Sequence, residues 1–516
     1  MSMSRTASSI KNSKMSIVAQ ICSILLNFIG RTFFIRLLNI EYLGVNGLFS
    51  NILGLLSLAE LGVGTAITYM MYKPIAENDI KKVAAYNNLF RKVYTTVGLI
   101  ILGVGLVISP FINFFIREQP DISENLFIIY VLFLLNTSIS YFFTYKRSLL
   151  IAYQKEYINS VNILQFSIIK DVVLILLLWL FHNFYIYLIA QIVVTFLSNF
   201  SISRKTDSLF PEIVTEKNVR VTKEEIHIIV KNTMAMLCHK VGSVIVSGTG
   251  NLFVSYYVGI SVVGIYSNYL MISTYARQII GQGVNSITAS FGNLVATESH
   301  EHVYKTFRNL FFINFILAYM VSILFYSMIN PFISLWIGNV YLLDTQTIFV
   351  IVINSLFFYQ IRVPSQIVIN TYGLFWQVKW KSIIEAFLNL LSAFILASYF
   401  RLGICGILAA GLISNILTNM WWEPYAAFKY GLHVSLSKYF SELFKCIIVF
   451  GITLLTVHFL SNLIVNNIIT NYIIQLLIIL LVDIVFMLIV IGCFYGRTAE
   501  FKYFSNLFKS QLLKNK

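Results

Sequence analysis

Of the chain's 516 residues, 58% are hydrophobic and only 11% are charged, whereas a soluble globular protein carries roughly 25% charged residues. That excludes a water-soluble class. The few charges are strongly biased, with 37 Lys and Arg against 22 Asp and Glu and a formal net charge of +15.

A bilayer core takes roughly 20 mainly apolar residues per spanning helix. Such runs predict about fourteen transmembrane helices, at 17–38, 43–72, 93–116, 126–150, 158–181, 184–203, 226–254, 262–291, 309–332, 346–372, 382–400, 403–427, 441–461 and 472–494. The polar, basic start up to Lys14 runs into the first of these without a small-residue cleavage site, which predicts a retained helix and not a removable signal peptide. Tight hairpins are expected at Glu41, His182 and Arg401. Lipid satisfies no free backbone group, and no alternating ten-residue barrel pattern occurs, so helices are required. Pro110 and Pro364 fall inside the third and tenth predicted helices and kink them. Cys22, Cys238, Cys405, Cys446 and Cys493 all lie in apolar runs, without the spacing of a metal site or a disulfide. Trp179, Trp336, Trp421 and Trp422 stand near helix ends, as an interfacial aromatic belt requires.

Orientation follows from the basic residues. With the N-terminus in the cytoplasm, 28 of the 37 Lys and Arg fall on inner segments, only Arg117 and Arg401 on outer ones, and the rest within helices. A wrong helix count would invert half the loops and destroy this asymmetry, so both termini are expected inside. The charge is spread over every inner loop, which fits topology and attraction to anionic headgroups and argues against a nucleic-acid partner.

The longest internal polar stretch, Arg204 to Glu225, reads as a cytoplasmic linker. It divides the chain into an N-terminal lobe (1–203, six helices), the linker (204–225), a C-terminal lobe (226–428, six helices) and a closing segment (429–516) with helices thirteen and fourteen and a basic tail. The lobes repeat weakly. Gly47-Leu48-Phe49-Ser50-Asn51 matches Gly264-Ile265-Tyr266-Ser267-Asn268, and Gly62-Val63-Gly64 matches Gly281-Gln282-Gly283. Phe90-Arg91 matches Phe307-Arg308, and Lys11-Asn12-Ser13 matches Lys231-Asn232-Thr233. Six is even, so both copies share an orientation and their pseudo-twofold axis lies along the membrane normal. Substrate in such folds sits between the copies.

The stretch from Arg31 to Tyr94 carries Arg31-Thr32-Phe33-Phe34-Ile35-Arg36, Glu41-Tyr42-Leu43-Gly44-Val45-Asn46-Gly47-Leu48-Phe49, Leu56-Ser57-Leu58-Ala59-Glu60-Leu61-Gly62-Val63-Gly64 and Tyr72-Lys73-Pro74-Ile75-Ala76-Glu77-Asn78-Asp79. It resembles the Wzx-type polysaccharide flippases of the multidrug/oligosaccharidyl-lipid/polysaccharide exporter superfamily. Elsewhere the likeness is one of topology and length. The resemblance implies an all-α membrane fold of two pseudo-symmetric six-helix bundles in a V, like that of the multidrug exporters, with a C-terminal helix pair appended. It implies a bacterial cell-membrane protein that moves an undecaprenyl-diphosphate-linked oligosaccharide from the cytoplasmic to the outer leaflet. It also implies a place beside the polymerase and export machinery of capsule, exopolysaccharide or O-antigen assembly. A lipid II flippase and a cation-coupled multidrug exporter share the layout and stand as alternatives.

No phosphate-binding loop of the form G-x-x-x-x-G-K-[ST] and no H-E-x-x-H occurs. The outer loops at 114–125 and 333–345 offer Arg117, Glu118, Asp121, Glu124 and Asp344 only, too little for a glycosyltransferase or polymerase. The sequence therefore calls for a transporter with no cofactor, no metal and no catalytic residue.

Ionisable groups at bilayer depth are costly and face a partner or a cavity. Lys231 and Arg36 lie near helix ends and can snorkel, and Arg36 is placed to pair with Glu41. The deeper set is Arg31, Glu60, Lys170, Asp171, Lys240, Arg277, Arg362 and Asp483. Lys170 and Asp171 are adjacent and placed to neutralise each other; Asp483, outside the repeat, reads as a helix contact. Arg31, Glu60, Lys170, Lys240, Arg277 and Arg362 are the candidate substrate-binding set. Basic groups dominate it, which suits a diphosphate: Arg offers a bidentate fork and Lys a point charge. The competing reading is that these charges only staple helices together.

Overall fold

The computed structural model describes residues 5–60, 63–216, 219–467 and 472–514. Those residues form helices and contain no strand. Each of the fourteen predicted runs is helical where described, and eleven helical stretches are long and apolar enough to cross a membrane. The chain divides into two compact units, 1–264 and 265–516.

The first unit contains α1 (Arg5–Leu37), α2 (Ile40–Leu56), α3 (Val63–Ala76), α4 (Ile80–Ile108), α5 (Leu126–Tyr141), α6 (Thr144–Ala152), α7 (Glu156–Phe181), α8 (Phe184–Leu209), α9 (Pro211–Thr215) and α10 (Lys223–Tyr257), and ends in the first turn of α11 (Ile260–Thr297). Short polar side chains set the boundaries by satisfying the first free N–H groups of a helix. Asn39 accepts from the N–H of Glu41 at 3.0 Å to start α2, and Asn183 accepts from Ile186 at 3.1 Å to start α8. His182 ends α7 in a left-handed conformation (φ 48°), making the predicted tight hairpin. At Pro110 the third predicted helix tightens from α4 into a 3₁₀ turn, Ser109–Phe115. The predicted run 43–72 is not one helix: a 3₁₀ turn at Ser57–Glu60 follows α2 and precedes α3. α1 packs along α7, α7 against α8, and α10 against α2. Phe34, Tyr42, Phe184 and Tyr187 meet edge-on or stacked with ring centroids 5.1–5.9 Å apart. Glu41 does not turn to Arg36; it accepts from the backbone N–H of Asp121 and lies 3.4 Å from the hydroxyl of Ser261, 220 positions along the chain.

Two glycines allow one contact that no other residue would permit. A Cβ on Gly44 would collide with the carbonyl oxygen of Ile260 and lie 2.8 Å from its carbonyl carbon. A Cβ on Gly264 would lie 2.6 Å from the carbonyl oxygen of Ile40. The first turns of α2 and α11 thus cross backbone to backbone, as small residues allow between membrane helices. The contact is reciprocal: Ile40 and Gly44 on one side, Ile260 and Gly264 on the other, at the same separation as Glu41 and Ser261. The structural repeat in this stretch is therefore offset by 220, one helical turn from the register given by the Gly47 and Gly264 match.

The polar connection before α10 is docked. Asn88 donates to the carbonyl of Glu216 at 2.9 Å, and Lys155 stands 4.8 Å over the Phe210 ring. Thr222 and Glu225 form a capping box, Glu225 N–H to Thr222 Oγ1 at 3.3 Å and Thr222 N–H to Glu225 Oε2 at 3.1 Å. Lys82 adds an ion pair at 2.8 Å. Burial alone would raise the Glu225 carboxyl, but hydrogen bonds from Lys82, Thr222 and Tyr86 outweigh it and hold the pKa at about 2. A depressed carboxyl stabilises the fold above its unfolded value and loses that contribution as pH falls through its folded value. The stability difference between wild type and Glu225→Gln is thus expected to be full at pH 6 and to shrink between about pH 4.5 and 2, read as the midpoint of unfolding in detergent. Its size is modest because Lys82 is exposed.

The second unit holds the rest of α11 and then α12 (His300–Trp336), α13 (Thr345–Ile351), α14 (Tyr359–Ile361), α15 (Val363–Tyr372), α16 (Lys381–Phe394), α17 (Gly403–Leu417), α18 (Asn419–Ala426), α19 (Leu436–Asn467), α20 (Tyr472–Tyr495) and α21 (Ala499–Lys514). A π-helical stretch, Val352–Phe358, joins α13 to α14, and Pro364 lies in the first turn of α15, so the tenth predicted helix is interrupted at the proline. α12 is the central post. It packs on α15, α19 and α20, and a ladder of polar pairs fixes the register: Tyr319 with Thr453 at 2.9 Å, Tyr326 with His458 at 2.9 Å, and Ser327 donating to Asp483. Asp483 is buried and serves the helix contact expected of it. Phe357 stacks on Phe450 at 4.0 Å, tying the interrupted helix to α19. Large apolar side chains such as Val107 and Leu481 point outward; in water that would be a fault, and in lipid it is the required surface.

Candidate functional site

In the first unit the helix pair α1 and α7 brings the membrane charges together. Gly30 on α1 lies against Asp171 on α7, whose Oδ1 is 3.5 Å from where a Cβ would stand, an ordinary packing contact. Lys170 Nζ is 3.9 Å from the same oxygen. Arg31 is the next residue on α1, half-buried, and Tyr187 on α8 feels both the Arg31 and the Asp171 charge. The predicted neighbours Lys170 and Asp171 do pair, but Arg31 belongs to the same group.

Glu60 sits at the break between α2 and α3 and accepts from Tyr94 Oη at 2.5 Å. Gly64 makes the space: any Cβ there would strike that hydroxyl. The carboxylate is thus held by a tyrosine of α4 at an interrupted helix, the kind of position where membrane transporters place polar groups. Lys240 lies on α10, and its side chain falls outside the described residues.

In the second unit, Arg277 on α11 is half-buried. Its Nη2 donates to Thr274 Oγ1 at 3.1 Å, and its guanidinium lies 4.8 Å over the ring of Tyr359. No carboxylate lies within ion-pair distance of it among the described residues. Arg362, three positions after Tyr359, is in a different situation. Its Nε and Nη2 grip Glu423 at 2.9 and 2.7 Å, and its Nη1 donates to Asn415 at 3.1 Å. Lys381 also donates to Glu423, at 2.5 Å. Glu423 and Lys381 are 2% and 3% exposed, so this is a buried ion cluster. The charge of Arg362 is spent inside it.

Sequence reasoning overlooked Glu423 and Lys381, and it overlooked Arg147. Arg147 Nη2 donates to Asn162 at 2.9 Å and to Asn199 at 3.2 Å. Arg147 and Asn199 are 52 residues apart, and Arg362 and Asn415 are 53 apart. Each copy of the repeat thus ties an arginine of its fourth helix to an asparagine of its sixth. In the second copy a glutamate grips the arginine directly, whereas in the first Glu156 lies near Arg147 without an ion pair among the described residues. That near-equal spacing, 52 against 53, was the available signal, and it lay in neither glycine nor aromatic motifs.

No family description matches the sequence, and no curated protein matches it. Solved structures do. A multidrug resistance MATE family transporter of the MOP superfamily, in an inward-facing conformation, matches with a TM-score of 0.61 at 13% identity, over 80% of this chain and 98% of that one. A MATE transporter from Vibrio cholerae matches with a TM-score of 0.54 at 14% identity, over 83% and 99%. The lipid II flippase MurJ, in an inward closed conformation, matches with a TM-score of 0.60 at 16% identity, over 93% of this chain and 98% of that one. This chain is a multi-pass membrane protein that shares its all-helical fold with MOP superfamily transporters, the MATE exporters and the lipid II flippase among them.

Proposed function

We propose that the chain flips a lipid-linked oligosaccharide, carried on a prenyl diphosphate, from the cytoplasmic to the outer leaflet by alternating access, with both termini cytoplasmic. The product would feed assembly of a surface polysaccharide. The observation that carries this reading is Arg277, a half-buried cation stacked on Tyr359 without a carboxylate partner among the described residues. Such a cation at membrane depth is costly, and an anionic headgroup relieves that cost on binding. The loaded and empty states then differ in free energy, as any ligand-driven conformational change requires. In the first unit Arg31 and Lys170 stand beside Asp171 as a further cationic group, and Lys240 belongs to the proposed set. Arg gives a diphosphate two parallel hydrogen bonds and Lys gives it a compact charge.

Flipping of lipid II is the nearest competing reading. It is supported by the 93% of this chain that the lipid II flippase match covers, against 80% and 83% for the MATE transporters. Both readings place a prenyl diphosphate at the same cations. Proteoliposomes separate them from drug export. The purified chain is expected to move a fluorescent undecaprenyl-diphosphate oligosaccharide across the bilayer at least tenfold faster than empty liposomes and to leave ethidium untransported. Ethidium movement without lipid movement would replace the flippase reading with multidrug export; movement of lipid II alone would fix the sugar as the peptidoglycan unit.

A further inference from the structure

Away from the candidate site, the second unit contains a cavity of about 480 Å³ between α12, the start of α19, the end of α20 and α21. Its walls are aromatic. Phe311 meets Tyr439 at 5.5 Å, and Phe312 and Phe315 meet Tyr495 at 5.5 and 5.3 Å. Ile448 and Phe494 also line it, 41% and 54% exposed, and belong to the outward apolar surface of α19 and α20.

The polar end of the same cavity carries Arg308, Lys438 and Lys445 with Glu442 and Glu500. Lys445 is held by Glu442 at 3.0 Å. Arg308 Nη2 meets Glu500 at 2.6 Å, which uses one of the five donors of a guanidinium and leaves a fork edge free. Lys438 has no carboxylate within ion-pair distance among the described residues; its ammonium stands 5.8 Å over the Tyr304 ring. The lining thus combines aromatic walls with a cationic rim on one helix bundle. A water-soluble anion would leave the aromatic walls uncovered, and a neutral hydrocarbon would leave Lys438 uncompensated.

We propose that this cavity binds one anionic phospholipid, an acyl chain among Phe311, Phe315 and Tyr495 and the phosphate at Lys438 and the free edge of Arg308. The lipid is a resident of the fold and not the transported molecule. It joins α12 to the appended pair α19 and α20 beside the start of α21.

The test uses the full chain in mixed micelles of phosphatidylglycerol and phosphatidylcholine with identical chains, and counts retained lipid by mass spectrometry of the intact protein. A membrane-surface Lys or Arg favours an anionic lipid by about fivefold. The wild type is therefore expected to retain one phosphatidylglycerol in excess of about twentyfold over phosphatidylcholine, and Lys438→Gln to lower that excess about fivefold. Ile448→Trp, an exposed change in the cavity lining, is expected to remove the retained lipid while the protein melts at its normal temperature. A phosphatidylglycerol with a photoreactive chain end should label the peptide holding Phe311 and Phe315. Equal retention of the two lipids, an unchanged preference in Lys438→Gln, or label spread over the outward faces of α19 and α20 would each overturn the proposal.

Discussion

Arg277→Ala is expected to lower the initial rate of lipid-linked oligosaccharide flipping in proteoliposomes by at least tenfold, with the protein still inserting and accumulating normally. The two halves of that expectation have one cause. Arg277 has a hydroxyl and an aromatic ring as neighbours and no carboxylate within ion-pair distance among the described residues, so its removal leaves no buried anion orphaned and little stability is lost. A charge-assisted hydrogen bond to a ligand contributes roughly 1.5–3 kcal/mol, and that loss falls on substrate binding. Arg277→Lys keeps the charge and loses the planar fork, so partial recovery is expected. Flipping at the wild-type rate by the Ala variant, at normal abundance, would show that Arg277 is not a headgroup ligand.

Glu423→Ala is expected to behave in the opposite way, with a large loss of stability. It leaves Arg362 and Lys381 buried side by side without their shared carboxylate. Removing one member of a buried ion pair costs about 3–5 kcal/mol, whereas replacing the whole cluster by apolar side chains of similar volume is near neutral. The single variant should therefore accumulate poorly and melt well below wild type in detergent, and the combined change Arg362→Met, Lys381→Met, Glu423→Leu should restore the melting temperature. If the triple variant also flips substrate, the Arg362 cluster is a staple of the fold. If it is stable but inactive, Arg362 belongs with Arg277 in substrate handling.

The contrast shows which features the sequence displays. Lipid imposes a rule on every spanning segment, a long apolar run, so the helical runs were visible one at a time, eleven of them long and apolar enough to cross a membrane among the described residues. The break at Ser57–Glu60 was not, because apolar composition continues through it and only the path of the backbone changes. The Gly30 and Asp171 contact joins two helices that are distant in sequence, and no local pattern announces it. Arg362 stood out as an arginine inside an apolar run. Its partner Glu423, 61 residues later, sits next to Trp421 and Trp422 near a helix end, and nothing local marks it as the partner of Arg362. A charge at membrane depth can be found from sequence, but whether it is already neutralised depends on a residue that only the fold identifies.

The reciprocal meeting of Gly44 and Gly264 also carries a historical consequence. A patch that packs against its own equivalent is the hallmark of an isologous dimer contact. A six-helix precursor able to pair with a second copy of itself through the start of its second helix would make this contact before any duplication and fusion. In such a dimer one glycine position would serve both sides of the contact; after fusion each copy needs its own. A side chain gained at either would push against the carbonyl of the other copy's first turn, so the fused chain requires two glycines, 220 positions apart, where the precursor required one.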